Sequence, residues 1–102
     1  MRIIMDTKVQ AINFTADKSL IEFVNERVQK LTVYFDNIVS CEAFMKVDKK
    51  STAGNKVTEI KLNIPGKELF AKKKCDTFEE ATDQVVDALR RQLVKHKGKV
   101  VA

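Results

Sequence analysis

Ile38-Val39-Ser40-Cys41-Glu42-Ala43-Phe44-Met45-Lys46-Val47-Asp48 alternates along its length, and the rest of the fold can be read outward from it. Val39, Cys41, Ala43, Met45 and Val47 share one side; Ser40, Glu42, Phe44, Lys46 and Asp48 share the other. A period of two sustained this far predicts a strand with one covered face. Residues 49–56, with Ser51, Thr52, Gly54 and Asn55, predict a polar turn. The alternation resumes over residues 57–64, setting Thr58, Ile60, Leu62 and Ile64 against Val57, Glu59, Lys61 and Asn63. Pro65-Gly66-Lys67 is a tight-turn signal, and residues 68–74 predict a further strand with Leu69 and Ala71 inward. Three strands joined by short turns predict an antiparallel meander.

Amphipathic helices are predicted on both sides of this meander. Upstream, Leu20, Val24, Val28, Leu31 and Phe35 recur at helical spacing, widened by Phe23 and Tyr34, with Lys18, Glu22, Asn25, Glu26, Gln29 and Lys30 opposite. Asp17 is the expected N-cap, with Ser19 and Glu22 a competing capping box, and Asp36-Asn37 the expected end. Residues 9–14 ahead of it predict a first strand. Downstream, Thr77-Phe78-Glu79-Glu80 opens a helix with the apolar stripe Phe78, Ala81, Val85, Leu89 and Leu93; Gly98 is the expected stop. Two helices with single apolar faces need one shared surface, and a four-stranded sheet supplies it. The expected fold is therefore α+β, β-α-β-β-β-α, with two helices on one face of a four-stranded sheet. Residues 1–102 are expected to form one domain, with no linker or repeat evident in the sequence.

The composition narrows the function. Hydrophobic residues make up 44% and charged residues 32%, a globular mix. Cys41 and Cys75 stand far apart with no metal or redox spacing. The apolar runs are too short to cross a bilayer, and residues 1–6 are too short for a signal peptide, so a cytoplasmic location is expected. His96 is the one histidine, which excludes a histidine-based metal cluster, and no nucleophile motif or phosphate-binding glycine loop occurs. Asp83 and Asp87 lie four apart on the last helix, where pairing with Arg90 and Arg91 explains them better than acid–base chemistry. No enzyme, cofactor, metal or small-molecule substrate is expected.

Nineteen Lys and Arg against 14 Asp and Glu give a formal net charge of +5. A basic balance favours a polyanionic partner. Residues 1–66 are near balance, with 10 basic and 8 acidic side chains, whereas residues 90–102 hold Arg90, Arg91, Lys95, Lys97 and Lys99 and no acid. One or two cations would complement the helix dipole; five exceed it. Arg91, Lys95 and Lys99 also repeat every fourth residue, a repulsive arrangement that an anionic partner would relieve. Lys72-Lys73-Lys74 is a second basic element, with Lys73 on the side of Leu69 and Ala71 and so expected at a sheet edge or snorkelling outward. Arg27 and Lys30 add charge late in the first helix. Phe44 and Phe70 face outward, where they can stack on bases or, the preferred reading, cover each other across the sheet. A double-stranded RNA-binding module and a protein-interaction module using Phe44 and Phe70 both remain open on these residues.

The segment from Ala81 to Lys99, with its Ala-x-Asp opening, Arg90-Arg91-Gln92-Leu93 and Lys95-His96-Lys97, resembles the final helix of the ribosome hibernation promoting factor family. Phe23-Val24, Lys30-Leu31, Tyr34-Phe35-Asp36 and Lys46-Val47 extend the resemblance over nearly the whole chain from about Met5. The resemblance implies a β-α-β-β-β-α domain similar to double-stranded RNA-binding folds, without a cofactor. It implies binding to the small ribosomal subunit between head and body, where messenger and transfer RNA pass, and a block on translation in starved or stationary cells. By position, Arg27, Lys30, Arg90, Arg91, Gln92, Lys95, His96, Lys97 and Lys99 would contact ribosomal RNA. Thr77 stands where the family usually has Asp, and either residue can cap the helix. The chain is expected to be the short form, without a dimerisation domain, with a second hibernation factor as a further partner and no membrane partner.

Overall fold

The computed structural model describes residues 6–33, 37–50 and 52–101, with side chains in the last helix described as far as residue 96. The elements are β1 (Asp6–Ile12), α1 (Lys18–Gln29), a 3₁₀ turn (Lys30–Val33), β2 (Ser40–Val47), β3 (Lys56–Ile64), β4 (Lys67–Cys75) and α2 (Phe78–Val101). One sheet in the order β1-β2-β3-β4 carries both helices on one face. The β-α-β-β-β-α order and the meander of β2, β3 and β4 match the sequence expectation. β1 pairs with β2 in parallel, so the connection through α1 must cross the sheet.

The core lies between sheet and helices. Cys41, Ala43 and Met45 of β2, Ile60, Leu62 and Ile64 of β3, and Leu69 and Ala71 of β4 face Val24, Val28 and Leu31 from the first helical segment. Val85, Leu89 and Leu93 of α2 complete it. Phe14 and Phe78 stack with centroids 4.9 Å apart, fixing the β1–α1 loop against the start of α2. Burial pushes the Cys41 thiol up to about 12, so it behaves as a small apolar side chain. The buried hydroxyls of Thr58 and Thr82 lie 3.3 Å apart and satisfy each other between β3 and α2.

Several ends differ from expectation, each for a local reason. β1 spans Asp6–Ile12 rather than residues 9–14, because Asn13 adopts a left-handed backbone (φ 62) that ends the strand. Asp17 caps α1 as expected, accepting from the Leu20 N–H at 2.8 Å. Ser19 donates to Asp17 at 3.1 Å, so the competing capping box is unused. Such a cap stabilises a helix by about 1 kcal/mol. α1 tightens into a 3₁₀ turn after Gln29, where the Thr32 hydroxyl donates to the Gln29 carbonyl at 2.7 Å. The expected contributions of Tyr34, Phe35 and Asp36 lie outside the described residues.

Val39 is not on the covered face. It precedes β2 and is 61% exposed, while Ile38 turns inward in its place. Gly98 does not stop α2, which runs on to Val101. A helical Gly costs about 1 kcal/mol relative to Ala, too little to end a 24-residue helix. Pro65-Gly66 forms the two-residue β3–β4 turn, with Gly66 at φ 77 as the second position of a type II turn requires. Gly54 (φ 58) donates to the Asp76 carboxylate at 2.8 Å, which ties the β2–β3 turn to the entry of α2.

Candidate nucleic-acid interface

The topology sets the polarity of both helices. α1 returns between two parallel strands and therefore runs against them. β4 runs parallel to β2, because each is antiparallel to β3. α2 follows β4 and packs back on β3 and β4. The two helices are consequently parallel, with their starts at one end of the molecule and their late turns at the other. At the start end, Asp17, Ser19, Phe14, Phe23 and Glu79 line a shallow depression of about 480 Å³. Further along, Arg27, Lys30 and Leu31 from the end of the first helical segment and Asp83, Val86, Asp87 and Arg90 from the first half of α2 line a groove of about 180 Å³ between the helices.

Sequence distance thus hides a spatial cluster. Arg27 of α1 and Arg90 of α2 share the groove although 63 positions separate them. The Arg27 guanidinium lies 4.7 Å from the centroid of the Phe23 ring and 3.3 Å from Asp83. Arg90 donates to Asp87 through Nη2 at 2.8 Å and Nε at 3.3 Å, and Arg91 donates to the other oxygen of the same carboxylate. Those two guanidiniums, through hydrogen bonds and then charge, hold the Asp87 carboxyl below its usual range. The sequence expectation that Arg90 and Arg91 answer the acids of α2 is therefore right for Asp87. Asp83 instead crosses to Arg27, a pairing that depends on the helix–helix register and so is not legible in a single sequence.

Lys30 and Lys95 are exposed, and neither has a carboxylate within ion-pair distance among the described residues. Among the described residues, Arg27, Lys30 and Arg90 line the groove with the carboxylates of Asp83 and Asp87, and Arg91 and Lys95 follow on α2, so cations outnumber these two carboxylates. Gln92 is half-buried and donates to the Phe70 carbonyl at 3.1 Å, which fastens α2 to the edge strand β4. His96 is half-buried one turn further along. The side chains of Lys97 and Lys99 lie outside the described residues; their backbone continues α2.

Lys73 is set apart from this cluster. It projects from the helix-side face of the edge strand β4 and is exposed, as its alternation requires. Its register partner Thr58 meets Thr82 early in α2, so Lys73 sits toward the acidic start of that helix. Lys72 and Lys74 point to the opposite face and are engaged there. Lys72 and Lys46 both reach Glu59, at 3.5 and 3.0 Å, and Lys74 reaches Asp48 at 2.8 Å. Burial alone would raise the Glu59 carboxyl, yet the two lysines outweigh it and lower it.

Phe44 and Phe70 do not cover each other. Phe44 pairs in register with Glu59 and Phe70 with Lys61, so β3 runs between them, and Phe70 is 51% exposed. Alternation assigns a side chain to a face but says nothing about which strand lies beside which. Among the described residues no group of three or more His, Cys, Asp or Glu side chains could hold a metal ion. No helix among them is long and apolar enough to cross a membrane.

Residues 7–101 match the family described as Sigma 54 modulation protein / S30EA ribosomal protein. The chain belongs to this family. The ribosome hibernation promoting factor of Escherichia coli K12 is 31% identical over 96 residues, spanning 94% of this chain and 97% of that protein. The protein of the same name from Azotobacter vinelandii is 29% identical over 97 residues, 95% of this chain and 87% of its own. Two solved structures share the fold. A ribosomal subunit interface protein from Coxiella burnetii has a TM-score of 0.82 at 18% identity. The N-terminal domain of Protein Y from Thermus thermophilus has a TM-score of 0.75 at 17% identity. Each alignment covers 92% of this chain and 99% of the other. For a member of this family, the basic groove between the end of α1 and the first half of α2 is the feature that most needs a functional account.

Proposed function

We propose that this protein is a cytoplasmic ribosome hibernation factor that docks on the small ribosomal subunit through ribosomal RNA and lies across the messenger and transfer RNA path. It inhibits translation in starved or stationary cells. The observation that carries this reading is the convergence of Arg27, Lys30 and Arg90 on one inter-helix groove, with Arg91 and Lys95 following on α2, in a chain whose curated relatives are named for ribosome hibernation.

The mechanism is occlusion, without chemistry. The five cations pair with phosphates and release condensed counterions, and the shape of the groove and helix ends sets where the domain sits. Lys97 and Lys99 follow in the sequence of α2 and add two further positive charges to it. Gln92 holds α2 against the sheet, and His96 follows it on the same helix. Lys73 contributes at longer range, through the overall field. A second hibernation factor is a further partner of the ribosome-bound state.

About five phosphate contacts predict that affinity for purified small subunits falls on the order of 10²-fold between 50 and 200 mM salt. Equilibrium binding across that range measures it, and a flat response would contradict the proposal. The same titration separates the alternative in which exposed Phe70 and half-buried Phe44 on the open sheet face grip a protein partner. That contact would respond weakly to salt.

A further inference from the structure

The two carboxylates within the basic groove call for their own explanation. Asp83 and Asp87 stand one turn apart on α2, and between them they engage three of the five clustered cations. Asp83 holds Arg27 of the neighbouring helix at 3.3 Å. Asp87 holds Arg90 through one oxygen and Arg91 through the other. These carboxylates occupy guanidinium donors that a phosphate would otherwise take, and their charge opposes the attraction of an anion to the groove.

Stability does not account for them. Both carboxylates and all three guanidiniums remain substantially exposed, and ion pairs of that kind contribute little to folding. Their effect is on binding. A guanidinium carries five donors in a fixed fork, so a carboxylate on one edge orients the group without exhausting it. Arg27 is oriented twice over, by Asp83 and by the Phe23 ring.

We propose that Asp83 and Asp87 are the specificity-determining residues of this surface, suppressing its affinity for plain RNA while presenting pre-oriented arginines to a shape-matched RNA site. This rests on the RNA-docking reading above. A plain duplex is held mainly by cations free to reach toward whichever phosphate is near, and two fixed anions in the groove weaken that interaction. A folded site with phosphates already in position gains from arginines that need no reordering. A fixed repulsive element that costs the wrong partner more than the right one is how affinity becomes selectivity. Asp87 stays ionised at neutral pH, held so by Arg90 and Arg91, and the suppression is present under ordinary conditions.

The test compares three full-length proteins: the natural chain, Asp83→Asn with Asp87→Asn, and Arg90→Glu with Arg91→Glu and Lys95→Glu. Each is titrated with purified small subunits and with a plain RNA duplex at one fixed salt concentration. Circular dichroism confirms the fold, and the single Asp87→Asn change provides a milder variant. The double Asn protein is expected to bind the duplex on the order of tenfold tighter, since two anions leave the groove. Its binding to small subunits does not tighten, so its preference for subunits over duplex falls on the order of tenfold. Equal tightening on both targets, or no change on either, overturns the proposal. If the charge-reversed protein loses subunit binding while the Asn variants leave the preference unchanged, the specificity role alone fails. If the charge-reversed protein binds subunits like the natural chain, the docking reading fails and the specificity role with it.

Discussion

Changing Arg90, Arg91 and Lys95 together to Glu is expected to abolish co-sedimentation with small ribosomal subunits in a sucrose gradient. Three positive charges are lost and three negative ones gained, which moves the formal net charge from +5 to −1. The change falls on the second half of α2, beginning at Arg90, which lines the basic groove. Each lost phosphate contact removes a counterion-release contribution, and each new carboxylate repels the same phosphate. The fold should survive, because Arg91 and Lys95 are exposed and Arg90 is half-exposed. Like charges beside Asp87 cost a few tenths of a kcal/mol each. The neutral variant with Gln at the same three positions avoids that repulsion and should still weaken binding by about tenfold or more. Retained co-sedimentation by the folded Glu variant would remove the end of α2 from the mechanism.

The largest effect on stability is expected at Leu89. It is fully buried and lies in the apolar stripe by which α2 meets the sheet. Leu89→Ala removes buried apolar atoms and leaves a cavity that the rigid sheet cannot close, at a cost of about 2–5 kcal/mol. A domain of this kind has about 5–15 kcal/mol in total, so the loss is a large share. Urea unfolding should show a lower midpoint with an unchanged slope. A loss below about 1 kcal/mol would mean that α2 packs loosely on the sheet. The groove would then lack the rigid frame that places Arg27 opposite Arg90.

Much of this architecture is legible in the sequence because local periods report which face of each element is covered. The alternation of residues 41–46 and 58–64 and the helical stripe Phe78, Ala81, Val85, Leu89 and Leu93 correspond to buried positions one by one. The cap at Asp17 and the turn at Pro65-Gly66 are equally local, and both occur as expected. What the sequence hides depends on geometry between elements. The early end of β1 follows from the backbone of Asn13, and the inward turn of Ile38 in place of Val39 from how the chain enters β2. The isolation of Phe44 from Phe70 follows from strand order.

The same division applies to the candidate surface. The density of cations after residue 90 is visible at once. That Arg27 and Lys30 join Arg90 depends on the two helices being parallel, which in turn follows from one parallel and two antiparallel strand pairings. The engagement of Arg27 by Asp83, and the place of Lys73 on the edge strand β4, opposite the β1 edge where α1 packs, appear only once the elements are placed side by side. In sequence the two carboxylates are indistinguishable from ordinary helix-surface acids, because spacing along one helix cannot reveal a partner on another.

Site-specific cross-linking tests the central claim most directly. Cys41 and Cys75 are buried, so a thiol-reactive photo-cross-linker can be directed to an introduced cysteine. Val94→Cys places it on an exposed position of α2, one turn past Arg90 and Arg91, with every cation retained. Phe70→Cys places it on the open face of the sheet. On small subunits, the label at position 94 is predicted to cross-link ribosomal RNA, and the label at position 70 is not. RNA cross-links from position 70 with none from position 94 would contradict the account.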